Sequence, residues 1–343
     1  MALQLGVGLP HSRNLAHIVD TAVAAEELGY DSVWVPEAYG SDAVTMLSFI
    51  AARTTTIKLA TAVLQLFART PANTAMTAMT LDELSGGRVV LGLGSSGPQV
   101  VEGWHGVPFD QPIARTREYV ELVRTIIRRD GPVAFEGRFY TVPLQRPDGP
   151  PVRAMRSSMH PNRPAIPVYI AANGPRNLAL TAEIADGWLP TLYAPEHHAT
   201  LAGPLDDGRA RRHPALAPLE ISAGVEVHLG DDLDTCRDAA RPYLALYIGG
   251  MGTKDQNFYN NLVTRYGYGA AAAKVQELYL SGRIGEAEAA LPDELIDLLA
   301  LVGPPARVQE RLRSWSDSPV DRLLVKSTDI ATLRQVRILV DGL

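Results

Sequence analysis

The feature that most constrains this chain is a repeated alternation of short, apolar, β-branched runs with longer helical patterns. Leu3 to Leu9 reads as a strand stopped by Pro10. Asn14 then caps a helix carrying Ile18, Val19, Ala22, Val23 and Leu28, with Gly29 as its stop. Asp31–Glu37, Ile57–Gln65 and Arg88–Gly94 read as the next three strands. Ala43–Arg53, a segment from Pro71 to about Ser85-Gly86-Gly87, and Arg115–Arg129 read as the helices between and after them. Strands apolar on both faces and joined by helices belong to a parallel sheet covered on both sides. The alternation fits a closed barrel at least as well as an open sheet.

Residues 130–165 break the rhythm with a hairpin tip at Phe135–Tyr140 and a loop rich in Pro, Arg and Ser from Pro143 to Pro167. The alternation resumes with strands at Val168–Asn173, Gly187–Leu192, Glu220–Leu229 and Val320–Ser327, making eight candidates. Helices are expected at Pro175–Ala185, Asp231–Tyr247 and Ile330–Leu339, and the weakest helical pattern lies around 196–215. Residues 254–295 read as a second insertion. At about 150 residues per domain the length of 343 suggests two domains, whereas α/β barrels commonly run to about 250 residues or more as one.

Composition narrows the function classes. A hydrophobic content of 46% with 20% charged residues excludes a disordered chain. The single cysteine, Cys236, excludes an internal disulfide and a cysteine-held cluster. A net charge of −6 argues against a general polyanion binder, so no nucleic-acid partner is expected. No apolar run approaches the roughly 18 residues of a membrane span. The opening MALQLGVGLP lacks a basic start and a cleavable apolar stretch. The expectation is a cytoplasmic protein with no membrane partner. Apart from the adjacent His197 and His198, whose side chains cannot easily face one ion, no histidines have ligand spacing, and no metal is expected.

Five segments carry a family resemblance in order and spacing: LGYDSVWV at 28–35, TLDELSGGR at 80–88, LGLG at 91–94, PVYIAANGP at 167–175 and ADGW at 185–188. The chain resembles the luciferase-like monooxygenase superfamily along essentially its whole length, and within it the branch of oxidoreductases that use coenzyme F420, a deazaflavin. VPEAYGSDA at 35–43, SGPQVVEGW at 96–104, Asn257-Phe258-Tyr259-Asn260 and Arg265-Tyr266-Gly267-Tyr268 resemble a subgroup of F420-dependent reductases. That subgroup is similar in layout to methylenetetrahydromethanopterin reductase. The resemblance implies one domain over 1–343, folded as an α/β (β/α)8 TIM barrel. Its insertions would follow strand 4, at about 130–165, and lie near strand 8, at about 254–295. It also implies a homodimer acting on a small molecule.

Two loops are candidates for holding an anion. Strand 4 runs into Gly94-Ser95-Ser96-Gly97-Pro98, where small residues let N–H groups and hydroxyls approach closely. Strand 5 delivers Ala172-Asn173-Gly174 ahead of a helix whose N-terminus favours a phosphate, with Arg176 just inside it. Both lie at strand C-terminal ends, where barrel active sites form. Two ordinary βα turns are the plainer reading of the residues alone; the resemblance implies that these loops hold the phosphate side of the deazaflavin. It further implies a non-proline cis peptide between Ala62 and Val63, supporting the face of the ring.

Glu37 ends strand 2, where a carboxylate could hydrogen-bond the ring or relay a proton, and Tyr39 is the nearest phenol to donate one. Pairing with a buried Arg, and simple packing, are the respective alternatives. Relatives that oxidise sugar phosphates or alcohols follow this acid with a histidine, where this chain has Ala38, and their common acid after strand 4 is replaced by Gly97; sugar-phosphate oxidation is therefore not expected. Glu102, Trp104 and His105 follow the first anion loop and, with His160, are candidates for a substrate pocket; a satisfied loop histidine is the alternative for His105. Arg146, Arg153, Arg156, His160 and Arg163 make one basic insertion. It is either a solvated loop or, beside Arg176, a guide for the anionic tail of F420.

The expected chemistry is hydride transfer between deazaflavin C5 and an electron-poor C=C, C=N or C=O, in the reductase direction. The alternatives are an FMN-dependent monooxygenase using O2 and a catalytically idle F420-binding protein.

Overall fold

The computed structural model describes residues 3–343; Met1 and Ala2, which belong to the opening segment read above for a leader, lie outside the described residues. Eight strands form the ring: β1 Gln4–Gly8, β2 Ser32–Val35, β3 Lys58–Thr61, β4 Val89–Gly94, β5 Val168–Ala171, β6 Gly187–Leu189, β7 Glu220–Leu229 and β8 Arg322–Lys326. Each pairs in parallel with the next, and β8 pairs with both β7 and β1. The open alternative is thereby removed: the sheet closes, with helices between its strands, as an α/β TIM barrel. Closure leaves no edge with unpaired backbone groups.

Inside the ring, Trp34, Ala60, Val90, Tyr169, Leu189 and Leu324 pack as a separate apolar cluster. One layer below, Gln4, Arg322 and Ser222 stand in register on β1, β8 and β7. Arg322 closes the N-terminal end of the barrel and is only 3% exposed. The outer faces of the strands pack against the helices in the main core.

The run expected as one strand over Ile57–Gln65 divides in two. Thr61 ends β3, the Ala62–Val63 peptide is cis, and Leu64–Gln65 resumes against Leu93 and Gly94 of β4. The weak pattern around 196–215 folds as the helix Ala199–Arg209. Phe135–Glu136 and Thr141–Val142 pair as the expected hairpin, whose tip lends the N–H groups of Arg138, Phe139 and Tyr140 to the Glu118 carboxylate.

The second insertion is wider than expected and lies between β7 and β8. It begins with the helix Leu233–Ala245, continues through a π-turn at Leu246–Gly250, and ends in a strand, Ala300–Gly303, that extends the sheet beside Glu226–Leu229. The helix leading back to β8 is Pro305–Ser316. The sequence hid the extra strand because its four apolar residues continue directly from Leu298 and Leu299 at the end of the helix Asp293–Leu299, and a short apolar run has no period of its own.

Glu26 shows how side chains fasten the helix–strand joints. Its carboxylate accepts N–H bonds from Thr55, Thr56 and Ile57, at the entrance to β3. Burial raises its pKa, but the bonds from Ile57, Thr56 and Thr55 outweigh that and bring it to about 2. Because the folded value lies below the unfolded one, the bonds stabilise the fold fully above pH 4.5 and are lost as pH falls toward about 2. Glu26→Gln is expected to lower the melting temperature at neutral pH. Its difference from the native chain should narrow across that acid window in thermal melts at stepped pH.

Candidate active site

The C-terminal ends of the strands open onto a cavity of about 850 Å³. Its first wall is set by β4. Gly94 ends that strand, and a Cβ there would sit 2.5 Å from Val63 Cγ2, so the missing side chain lets Val63 stand in the wall. The chain then turns through Ser96, whose φ of 59° is left-handed, and Gly97 starts the short helix Pro98–Val101.

The second wall comes from β5. Gly174 caps the helix Pro175–Ile184, and no side chain accepts from the N–H groups of its first turn, which lies in the cavity wall. Asn177 donates to Ala171 O at 3.2 Å, while its Oδ1 is buried with no partner and the residue lines the cavity. Arg265, reaching over from the insertion, donates to Asn173 O at 2.7 Å and holds this loop in place. The insertion supplies the opposite wall with Leu246, Met251, Phe258 and Tyr259.

Most of the expected site residues meet here. Tyr39, Val63, Gly94, Ser95, Ser96, Gly97, Trp104, Ala172, Asn173, Gly174 and Arg176 all line the cavity. Five do not. Ala62 packs against the cluster inside the barrel, one residue behind Val63. Glu37 is turned aside: one oxygen pairs with Arg69 at 3.0 Å and the other is buried without a partner. The pairing alternative is thus the one realised, and Asp42, the cap of helix Ala43–Arg53, binds the same guanidinium.

Glu102 closes its own loop by accepting the Phe109 N–H at 3.0 Å. His105 lies outside the cavity wall, with Nε2 buried and unpartnered. His160 is exposed at the other end of the barrel. Its segment is tied there by Arg163, which binds Asp82 at 2.7 Å and also donates to the Val89 carbonyl at the start of β4. Asp82 is 1% exposed and requires a cation, which is why Arg163 is held at the start of β4 instead of beside the cavity. Arg146, Arg153 and Arg156 are exposed, and none lines the cavity.

Sequence reasoning missed Asn177, Arg265, Met251 and Tyr259. Asn177 sits one turn into a helix and carries no motif of its own. The other three come from the insertion, where only the runs NFYN and RYGY gave a signal. Among the described residues no cluster of three or more His, Cys, Asp or Glu could hold a metal ion, and no helix is long and apolar enough to cross a membrane.

The profile of the luciferase-like monooxygenase family matches residues 2–322. The chain belongs to this family. It is 41% identical to Rv3520c of Mycobacterium tuberculosis, named as a coenzyme F420-dependent oxidoreductase, over 99% of this chain and 98% of that protein. It is 28% identical to the 5,10-methylenetetrahydromethanopterin reductase of Archaeoglobus fulgidus, over 88% and 87% of the two chains. The coenzyme F420-dependent tetrahydromethanopterin reductase of Methanopyrus kandleri shares the fold with a TM-score of 0.83 at 21% identity, over 100% and 99% of the chains.

Proposed function

We propose that this luciferase-like protein is an F420-dependent oxidoreductase. It transfers a hydride between deazaflavin C5 and an electron-poor C=C, C=N or C=O of a small molecule, in the reductase direction. The reading takes residues 1–343 as one domain of a cytoplasmic homodimer. The observation that carries it is the cavity between the β4 and β5 loops, in a chain 41% identical over nearly its full length to a protein named for F420.

The walls fit such a cofactor. A Cβ at Gly97 or Gly174 would meet nothing closer than 3.6 Å or 4.0 Å, so a ligand can approach the backbone there. The open first turn of helix Pro175–Ile184 suits a phosphate, with Arg176 beside it. Asn177 Oδ1 offers an acceptor to a ligand hydroxyl or N–H. Bound there, the deazaflavin supplies two-electron hydride chemistry without O2. Val63 would support the ring, and the apolar Leu246, Met251 and Phe258 would keep water from it. The chain must also handle the accompanying proton, and Tyr39 and Tyr259 are the phenols on the wall.

The test is a titration with F420 and with FMN, followed by anaerobic mixing of the protein, reduced F420 and a panel of enones, imines and ketones. Preferential F420 binding and electrophile-dependent appearance of oxidised F420 are expected. Preferential FMN binding with O2-dependent product would replace this reading with a monooxygenase. Tight F420 binding without turnover would leave an idle binding protein, consistent with Ala38 and Gly97 at positions where relatives carry acid–base groups.

A further inference from the structure

The run Asn257-Phe258-Tyr259-Asn260 has an architectural purpose. It packs on the π-turn Leu246–Gly250, where the change of helical period frees backbone carbonyls. Asn257, 2% exposed, donates to Tyr247 O at 3.2 Å and Ile248 O at 3.0 Å. Asn260 donates to Ile248 O at 3.1 Å and Ala272 O at 2.8 Å. Asn257 Oδ1 in turn accepts the N–H groups of Tyr259 and Asn260. Two asparagines thereby fix Tyr259 in the cavity wall from both sides of the residue.

Behind Tyr259 stands a stack that ends in a cation. The Tyr259 ring meets Tyr247 edge-on, with centroids 4.8 Å apart, and Tyr247 lies 4.5 Å from Tyr243. The Tyr243 hydroxyl bonds Lys326 Nζ, which also sits 4.3 Å from the centre of the Tyr243 ring. Lys326 is the last residue of β8 and reaches across the barrel mouth, because β1 and β7 present Gly8 and Gly224 to it. A Cβ at Gly224 would stand 2.8 Å from Lys326 Cε, and one at Gly8 would stand 3.1 Å from Cγ. On β7, Glu226 faces Lys326 in register and contacts His228 Nε2 at 3.2 Å.

We propose that Tyr259 donates the proton that accompanies hydride transfer, and that Lys326, anchoring the Tyr243–Tyr247 stack against which the Tyr259 ring packs, is a positioning residue for that phenol. The proposal rests on the hydride-transfer reading above. A substrate carbon that accepts hydride gains both electrons of the new C–H bond, and the adjoining O, N or C is left with a pair that needs a proton. The Tyr259 O–H bond breaks to supply it. The phenolate regains a proton from water that enters the cavity once the product has left.

The environments suit these roles. Burial holds Tyr259 and Tyr243 above the ordinary phenol range, so both stay protonated, and Tyr243 together with burial does the same for Tyr247. Burial brings Lys326 below the ordinary lysine range against the opposing pull of Tyr247 and Glu226. Tyr39, by contrast, is 56% exposed at the rim.

Two measurements on the full-length protein test this. In single-turnover reactions with reduced F420, Tyr259→Phe is expected to slow turnover by about 100-fold or more, with F420 affinity retained. Lys326→Met is expected to lower kcat more than KM and to move the basic limb of the pH profile. The second measurement needs no cofactor. The chain has four lysines, so in protein labelled with ¹³C at lysine Cε the resonance missing from Lys326→Met identifies Lys326. It should titrate below the ordinary value of about 10.4 and move in Tyr243→Phe. A midpoint at the ordinary value, or no response to Tyr243→Phe, overturns the role of Lys326 whatever the turnover. Native turnover in Tyr259→Phe, with the larger loss in Tyr39→Phe, overturns the donor assignment. Absence of any F420 chemistry in the unmodified protein overturns the functional reading and the donor with it, while the lysine resonance still decides the Lys326–Tyr243 pair.

Discussion

Gly92→Ala is expected to cost about 4 kcal/mol or more, enough to leave much of the protein insoluble. A Cβ at Gly92 would lie 1.8 Å from the Thr61 carbonyl oxygen, 3.0 Å from its carbon and 3.2 Å from Leu189 Cδ1. The first two are backbone atoms, so no rotamer change relieves the overlap. Nor can Thr61 withdraw. Its hydroxyl donates to Gly92 O at 2.7 Å and accepts the Gly92 N–H at 2.9 Å, taking over where the β3–β4 ladder stops at Ala60 and Val90. Thr61→Val keeps the shape but strands both Gly92 groups, and about 1–3 kcal/mol is expected. Gly97→Ala, whose Cβ has ordinary room, should stay within about 1 kcal/mol. Urea unfolding of the three variants checks the order; a Gly92→Ala midpoint near that of the native chain would show that β3 and β4 can part without loss. The consequence for the site is direct, since the same turn of chain places Val63 in the cavity wall.

Arg322→Met should have the next largest effect, about 3 kcal/mol in equilibrium unfolding. The guanidinium holds Asp31 through Nε at 2.9 and 2.8 Å, Ser222 at 2.9 Å and Glu220 at 3.3 Å, and also bonds Gln4. Tyr169, whose ring belongs to the inner cluster, bonds Glu220 in turn. Methionine fills the space and leaves Asp31 and Glu220 facing the barrel floor without their shared cation. Adding Asp31→Asn should recover part of the loss, since it removes one stranded charge. A loss under about 1 kcal/mol would mean that solvent at Asp31 and Glu220 replaces the arginine at little cost.

The strands and helices were legible because their information is local. Alternation, caps such as Asn14 and stops such as Gly29 act within a few residues. The β4 and β5 loops were legible for the same reason, as small residues at strand ends advertise backbone that something else must approach. Glu37 shows where this stops. Its type and place suit a cofactor-facing carboxylate equally well, and only the arrival of Arg69, on the far side of β3, turns it away. Arg163 of the basic insertion is a second case. Its charge was evident, but its position depended on Asp82, 81 residues away, being buried and in need of a cation.

By itself, then, the sequence determined the eight βα units, the family and the two loops that frame the cavity, since each is written in neighbouring residues. The tertiary structure alone decided that β8 closes on β1. It alone set which charged groups cancel each other, and that Tyr259 and Lys326, far apart in the chain, share one end of the barrel. Those outcomes depend on pairings across hundreds of residues, where burial and the need to satisfy every polar group choose among partners that local pattern cannot rank.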